Sequence, residues 1–208
     1  MADHDLAVPE LAAVDIDGGM SRSAFILRGA MTAGAVYGST MVGPFVGQAL
    51  AQSGGGDVDV LNFALTLEYL ETAFYRGARA KLGGSLSGLA KKFGDEEAAH
   101  VDAITAAIKK LGGKPVAKPA FKFPAISEKN FLKLAVTLED TGVGAYNGAA
   151  PSIKNPDILA AAGSIVQIEA RHAAIVRGRA GERPAPLAFD KALSKKQVLA
   201  VAGPLIKS

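Results

Sequence analysis

The pattern "Glu, then Glu-x-x-His about thirty residues later" occurs twice in this chain of 208 residues, and it constrains the fold more than any other feature. Leu61-Asn62-Phe63-Ala64-Leu65-Thr66-Leu67-Glu68 matches Leu132-Lys133-Leu134-Ala135-Val136-Thr137-Leu138-Glu139 at an offset of 71, with Leu, Ala, Thr, Leu and Glu coinciding. Tyr75 and Tyr146 keep that offset. Glu97-Ala98-Ala99-His100 then matches Glu169-Ala170-Arg171-His172 at an offset of 72. Repetition on this scale points to a duplicated two-helix unit. The chain has three histidines and nine glutamates. A glutamate three residues before a given histidine is roughly a 4% coincidence, and both pairs together are roughly 0.2%.

Four segments read as helices, and strand-like alternation is scarce, so the predicted class is all-α. The first spans roughly 58–82, with Gly83-Gly84 behind it. The second is centred on 95–111, with Asp95 as its cap, Lys109 and Lys110 in its last turn and Gly112-Gly113 as its stop. Residues 112–126 contain three prolines and read as an extended crossing connection. The third helix starts near Ser127 and ends before Pro151. The fourth starts after Asn155-Pro156 and stops near Gly181. The domain reading is a bundle over 57–181 and a tail over 182–208 that packs on it, with a short helix around 191–201.

Residues three apart share a helix face, so Glu97 points with His100 and Glu169 with His172. Glu68 and Glu139 lie among apolar residues, on or beside the inward stripe. A four-helix bundle would therefore bring four carboxylates and two imidazoles together in its core. Two divalent cations balance four carboxylates, which is the physical reason to expect a two-metal site. Oxygen and imidazole donors without thiolate suit iron or manganese, with zinc less favoured. Glu96 reads as a first-turn helix acid, because the repeat selects Glu97.

One Glu from each of two helices and Glu-x-x-His from each of the other two is the donor pattern of ferritin-like di-iron and di-manganese proteins. The chain resembles that superfamily in the right helix order. It is most similar to the exported, desiccation-related ferritin-like branch, through Leu61–Tyr75, the Leu111-Gly112-Gly113-Lys114-Pro115-Val116 linker and Glu169–His172. The resemblance covers roughly residues 57–181. It implies a ferritin-like antiparallel four-helix bundle with a long crossover connection. It also implies Glu68 and Glu139 as terminal ligands, Glu97 and Glu169 as bridging ligands, and one nitrogen from each of His100 and His172. Glu71 departs from the minimal set, because its counterpart is Gly142. It reads as an extra ligand, a proton relay, a lip residue or an ordinary hydrogen-bonded glutamate. Tyr75 and Tyr146 read as hydrogen-bond partners of the ligands, as electron donors or as plain core tyrosines.

The implied function is a ferroxidase-like or other oxidoreductase that uses two iron or manganese ions and reacts with O2 or peroxide. The alternative is a non-catalytic, stress-protective bundle stapled by its ions. Iron storage is a third reading with little in the sequence to favour it. With no cysteine, the chain carries no disulfide, iron–sulfur cluster or rubredoxin-type module, so an electron donor would come from elsewhere. A homo-oligomer is compatible with the sequence.

Residues 1–51 read differently. Arg22 precedes a stretch from Gly29 to Gly56 without a charged residue, ending in Ala49-Leu50-Ala51 and the residues that follow. This resembles a degenerate twin-arginine export signal, with Ser23 where the second arginine would stand. A retained membrane anchor and an internal segment are the alternatives; the glycines and Pro44 make a poor spanning helix. The expected location is therefore extracytoplasmic. The chain has 20 acids and 23 bases, of which residues 1–51 hold five and two, so the remainder carries net +6. Its lysines are scattered and no nucleic-acid motif appears, so no nucleic-acid partner is expected.

Overall fold

The computed structural model describes residues 56–207. The signal-like segment 1–51, with Arg22 and Ala49-Leu50-Ala51, lies outside them. The described residues form α1 (Asp57–Arg79), α2 (Gly84–Lys110), α3 (Glu128–Ala149), α4 (Pro156–Arg179) and α5 (Lys195–Ala202), with single 3-10 turns at Ala150–Ser152 and Gly203–Leu205. Among them there is no β-strand, only one isolated bridge between Phe121 and Ile206. No helix among them is long and apolar enough to cross a membrane.

Local chemistry explains most helix ends. α3 begins in a capping box, where Asn130 Oδ1 accepts from the Ser127 N–H at 2.6 Å. α4 has Asn155 as its cap and Pro156 in its first turn. α1 carries acids in its first turn and arginines in its last, which complements the helix dipole. Asp57 also accepts from the backbone N–H groups of Lys154 and Asn155, at 2.8 and 2.9 Å. That ties the start of α1 to the start of α4.

The reading of Asp95 as a cap is corrected. α2 starts eleven residues earlier, behind an extended Gly83. Ala90 and Phe93 bury their side chains in this added stretch, and Leu86 and Leu89 pack against the same cluster. Asp95 instead pairs with Lys91 at 2.6 Å, an i,i+4 ion pair of a helix interior. The other end follows the sequence: Gly112 adopts φ +76 and the Gly113 N–H reaches back to the Ile108 carbonyl.

The core is layered. One apolar cluster contains Leu70, Phe74, Phe93, Phe131 and Val176. The other contains Leu61, Leu65, Ile104, Ile108, Ile158 and Ile165. Along α1 and α4 the chain runs from the second cluster to the first; along α2 and α3 it runs the other way. The two helices of each half are therefore antiparallel, while α2 and α3 point the same way. That is why 112–126 must cross the length of the bundle. Asn62 pins this crossover to α1, donating to the Lys114 carbonyl at 3.1 Å and accepting from the Val116 N–H at 2.7 Å.

The C-terminal segment closes over α3. Val198 and Ala202 enter the first cluster, and the Leu193 N–H donates to the Gly144 carbonyl at 2.8 Å. A Cβ at Gly148 would sit 1.9 Å from the Leu193 carbonyl oxygen, so only glycine allows this approach. Gly148→Ala should lift the segment and destabilise the protein by about 1–3 kcal/mol, measured by chemical denaturation. An unchanged midpoint would show that the contact contributes nothing.

Candidate metal centre

Each of the four long helices delivers acidic side chains to the layer between the two apolar clusters. Glu68 and Glu71 come from α1, Glu97 and His100 from α2, Glu139 from α3, and Glu169 and His172 from α4. Glu68, Glu97, Glu139 and Glu169 are fully buried, and His172 is 2% exposed. The structure thus brings together all six residues that the repeat selects.

They form two overlapping groups. Glu68, Glu97, His100 and Glu169 offer donor atoms within 4.8 Å of one another, and so do Glu97, Glu139, Glu169 and His172. Glu97 and Glu169 belong to both. His100 Nδ1 lies 2.9 Å from Glu97, 3.2 Å from Glu68 and 3.2 Å from Glu169. His172 Nδ1 lies 2.8 Å from Glu97 Oε1 and 3.5 Å from Glu139 Oε2.

Proximity does not satisfy these atoms. Glu97 Oε1, Glu139 Oε2, both Glu169 oxygens and His172 Nδ1 are buried without a hydrogen bond of acceptable direction. A buried polar group left unpaired costs about 1–3 kcal/mol, and more when charged. Five such atoms converging on one layer fit a cation better than they fit one another. Oxygen and nitrogen donors with no sulfur define the kind of ion that fits.

The two tyrosines cross between the halves. Tyr75 on α1 donates to Glu139 Oε1 on α3, and Tyr146 on α3 donates to Glu68 Oε1 on α1. Of the readings open at the sequence level, the structure gives hydrogen-bond partners of the carboxylates. Glu71 is also buried, 3% exposed. A Cβ at Gly142 would lie 3.3 Å from Glu71 Oε1 and 2.9 Å from Glu169 Oε2. The glycine that replaces a second Glu71 thus makes room for this carboxylate and for Glu169.

Glu96 is the residue that the sequence reading missed. With α2 starting at Gly84, Glu96 is no first-turn acid but a mid-helix residue. Its Oε2 lies 2.9 Å from His172 Nε2. Phe93, one turn earlier, stacks on the same imidazole with centroids 3.8 Å apart. The Glu96–Glu97 doublet was visible in the sequence, but a wrong helix start hid its meaning.

Crowding sets the protonation. Burial raises Glu68 to about 7, against hydrogen bonding from His100. Burial and then neighbouring carboxylates raise Glu139 and Glu169 to about 8, with His172 and His100 opposing. Burial and then the charge of Glu169 push Glu71 well above the usual range. Glu97 goes the other way: burial would raise it, but His100 and His172 hold it at about 2. Burial would lower both histidines, yet the carboxylates raise His100 to about 12 and His172 to about 11.

Comparison with known proteins identifies the family of this fold. Residues 56–182, well over half of the chain, match the model of the ferritin-like domain, and the chain belongs to that family. A conserved hypothetical protein from Mycobacterium tuberculosis is similar in structure, with a TM-score of 0.55 and 19% identity, covering 63% of this chain and 94% of that one. A ferritin-like, diiron-carboxylate protein from Bacillus anthracis str. Ames also has a TM-score of 0.55, with 20% identity, covering 59% of this chain and 94% of that one. At these identities the likeness establishes the fold. No curated protein matches the sequence.

The shifts fix how the metal-free protein responds to pH. A group raised on folding stabilises below its unfolded pKa, and that contribution is lost as pH climbs through the folded value. Glu68, Glu71, Glu139, Glu169 and both histidines are all of this kind; Glu97 and Glu96 act oppositely, and the contribution of Glu97 is lost toward about pH 2. The melting temperature of the chelated protein should therefore fall steadily from about pH 5 to about pH 9. Added metal, which replaces those protons, should raise it more as pH rises. A flat profile in melts with and without chelator would contradict this charge pattern.

Proposed function

We propose that the protein binds two iron or manganese ions at this centre and uses them to reduce dioxygen or peroxide. The observation that carries the reading is the pair of buried four-residue groups sharing Glu97 and Glu169. In this reading Glu97 and Glu169 would be shared by the two ions, Glu68 and Glu139 would each help hold one of them, and His100 and His172 would each give one nitrogen. Bound there, two redox-active ions would supply one electron each, enough to take O2 to peroxide or peroxide to water, and an external donor would return those electrons.

The chain's own residues would manage protons and exclude water. Tyr75 and Tyr146 hold a proton at one oxygen each of Glu139 and Glu68, and so orient those carboxylates. Glu71, kept neutral by burial and by the charge of Glu169, holds a proton beside the centre. An apolar cleft lined by Leu61, Ala64, Leu67, Ala145, Tyr146 and Ala162 suits a small apolar molecule such as O2. An external electron donor belongs to this reading, since the chain has no cysteine. The resemblance to the desiccation-related branch and the signal-like pattern over 22–51 support a location outside the cytoplasm.

Metal-dependent consumption of O2 or peroxide by the loaded protein tests the reading. Glu71→Gln should slow turnover by roughly 100-fold or more while leaving both ions bound, as expected for a positioned acid. The complete burial of the four carboxylates favours one competing reading, in which the ions only staple the bundle. Absence of turnover, with chelation lowering the melting temperature by roughly 10 °C or more, would favour the staple.

A further inference from the structure

The two halves of the repeat are alike in their donors and unlike in what holds those donors. The offset of 72 that aligns Glu97 with Glu169 and His100 with His172 also aligns Glu96 with Ile168 and Phe93 with Ile165. On one side, His172 is fixed twice. Its Nε2 meets Glu96 Oε2 at 2.9 Å, and its ring stacks on Phe93 at 3.8 Å. With Nε2 engaged, Nδ1 is the nitrogen directed at Glu97 and Glu139. In the other half of the repeat, isoleucines stand at both matching positions. Among the described residues no side chain accepts from His100 Nε2, and the His100 side chain is 11% exposed against 3% for His172.

Outer partners of metal-binding imidazoles fix the tautomer and the ring orientation and make the nitrogen a better donor. A ring held in advance also loses less freedom when an ion arrives.

Resting on the two-ion reading above, we propose that the two positions are unequal. The position formed by Glu97, Glu139, Glu169 and His172 fills first and retains its ion. The position formed by Glu68, Glu97, His100 and Glu169 is the weaker, exchangeable one. Glu96 and Phe93 act as positioning residues, through His172.

Calorimetric titration of the metal-free full-length chain with Mn(II) alone, and with Co(II) followed also by its visible absorption, tests this. Two steps are expected, the first at least about tenfold tighter than the second. Glu96→Ala should weaken the first step about 10- to 100-fold and change the second by less than about twofold. Glu96→Gln keeps an acceptor oxygen and should restore most of the loss. Glu96 is partly exposed, so these variants keep the fold, checked by circular dichroism. Ile168→Gln, which puts a polar side chain at the position matching Glu96, should tighten the second step. Two equal steps, equal weakening of both steps in Glu96→Ala, or no difference between Glu96→Ala and Glu96→Gln would overturn the inequality while leaving the two-ion reading intact. Absence of any binding by the unaltered chain would overturn the two-ion reading itself.

Discussion

Glu68, Glu97, Glu139 and Glu169 are withdrawn from water in the middle of a helical bundle, with Glu71 beside them. An ionised carboxylate in such surroundings costs several kcal/mol unless opposite charge compensates it. The rest of the fold is arranged around that cost. Two apolar clusters close the layer from either end and keep solvent out. Two histidines and two tyrosines take up part of the charge and part of the hydrogen-bonding capacity. What they leave over is a set of five buried donor atoms with close ion-pair contacts at most and no well-directed hydrogen bond. Cations at the layer would remove the repulsion and satisfy those atoms together.

The chain path follows from the same requirement. Both halves must present a lone Glu from one helix and Glu-x-x-His from the next at a single depth. The two halves run so that α2 and α3 point the same way, and a connection as long as the bundle has to join them. The three prolines of 112–126 keep that connection extended, and Asn62 holds it against α1. At the other end Gly144 and Gly148 let the segment before α5 lie directly on α3. These features stabilise the scaffold without touching the centre.

Much of this was legible in the sequence, because a duplication shows both the structural unit and the residues on which it converges. The all-α class, the crossover and the starts of α3 and α4 follow from spacing, prolines and caps. The start of α2 did not follow. Gly83-Gly84 looked only like the end of α1, and Asp95 looked like a cap, although Lys91 four residues before it marks a helix interior. That single misreading hid Glu96, whose role depends on lying mid-helix, one residue before Glu97. The roles of Glu71, Tyr75 and Tyr146 stayed open for a different reason. They depend on contacts between helices 64 to 98 residues apart in sequence, such as Tyr75 with Glu139 and Tyr146 with Glu68, which no local pattern encodes.

Elemental analysis of the full-length chain after reconstitution with Fe(II) or Mn(II), beside a Glu97→Ala/His172→Ala variant, tests the central claim most directly. The buried charge and the two overlapping donor groups call for about two ions per chain, lost in the variant. A chain that retains no metal, or a variant that retains as much as the unaltered protein, would contradict it.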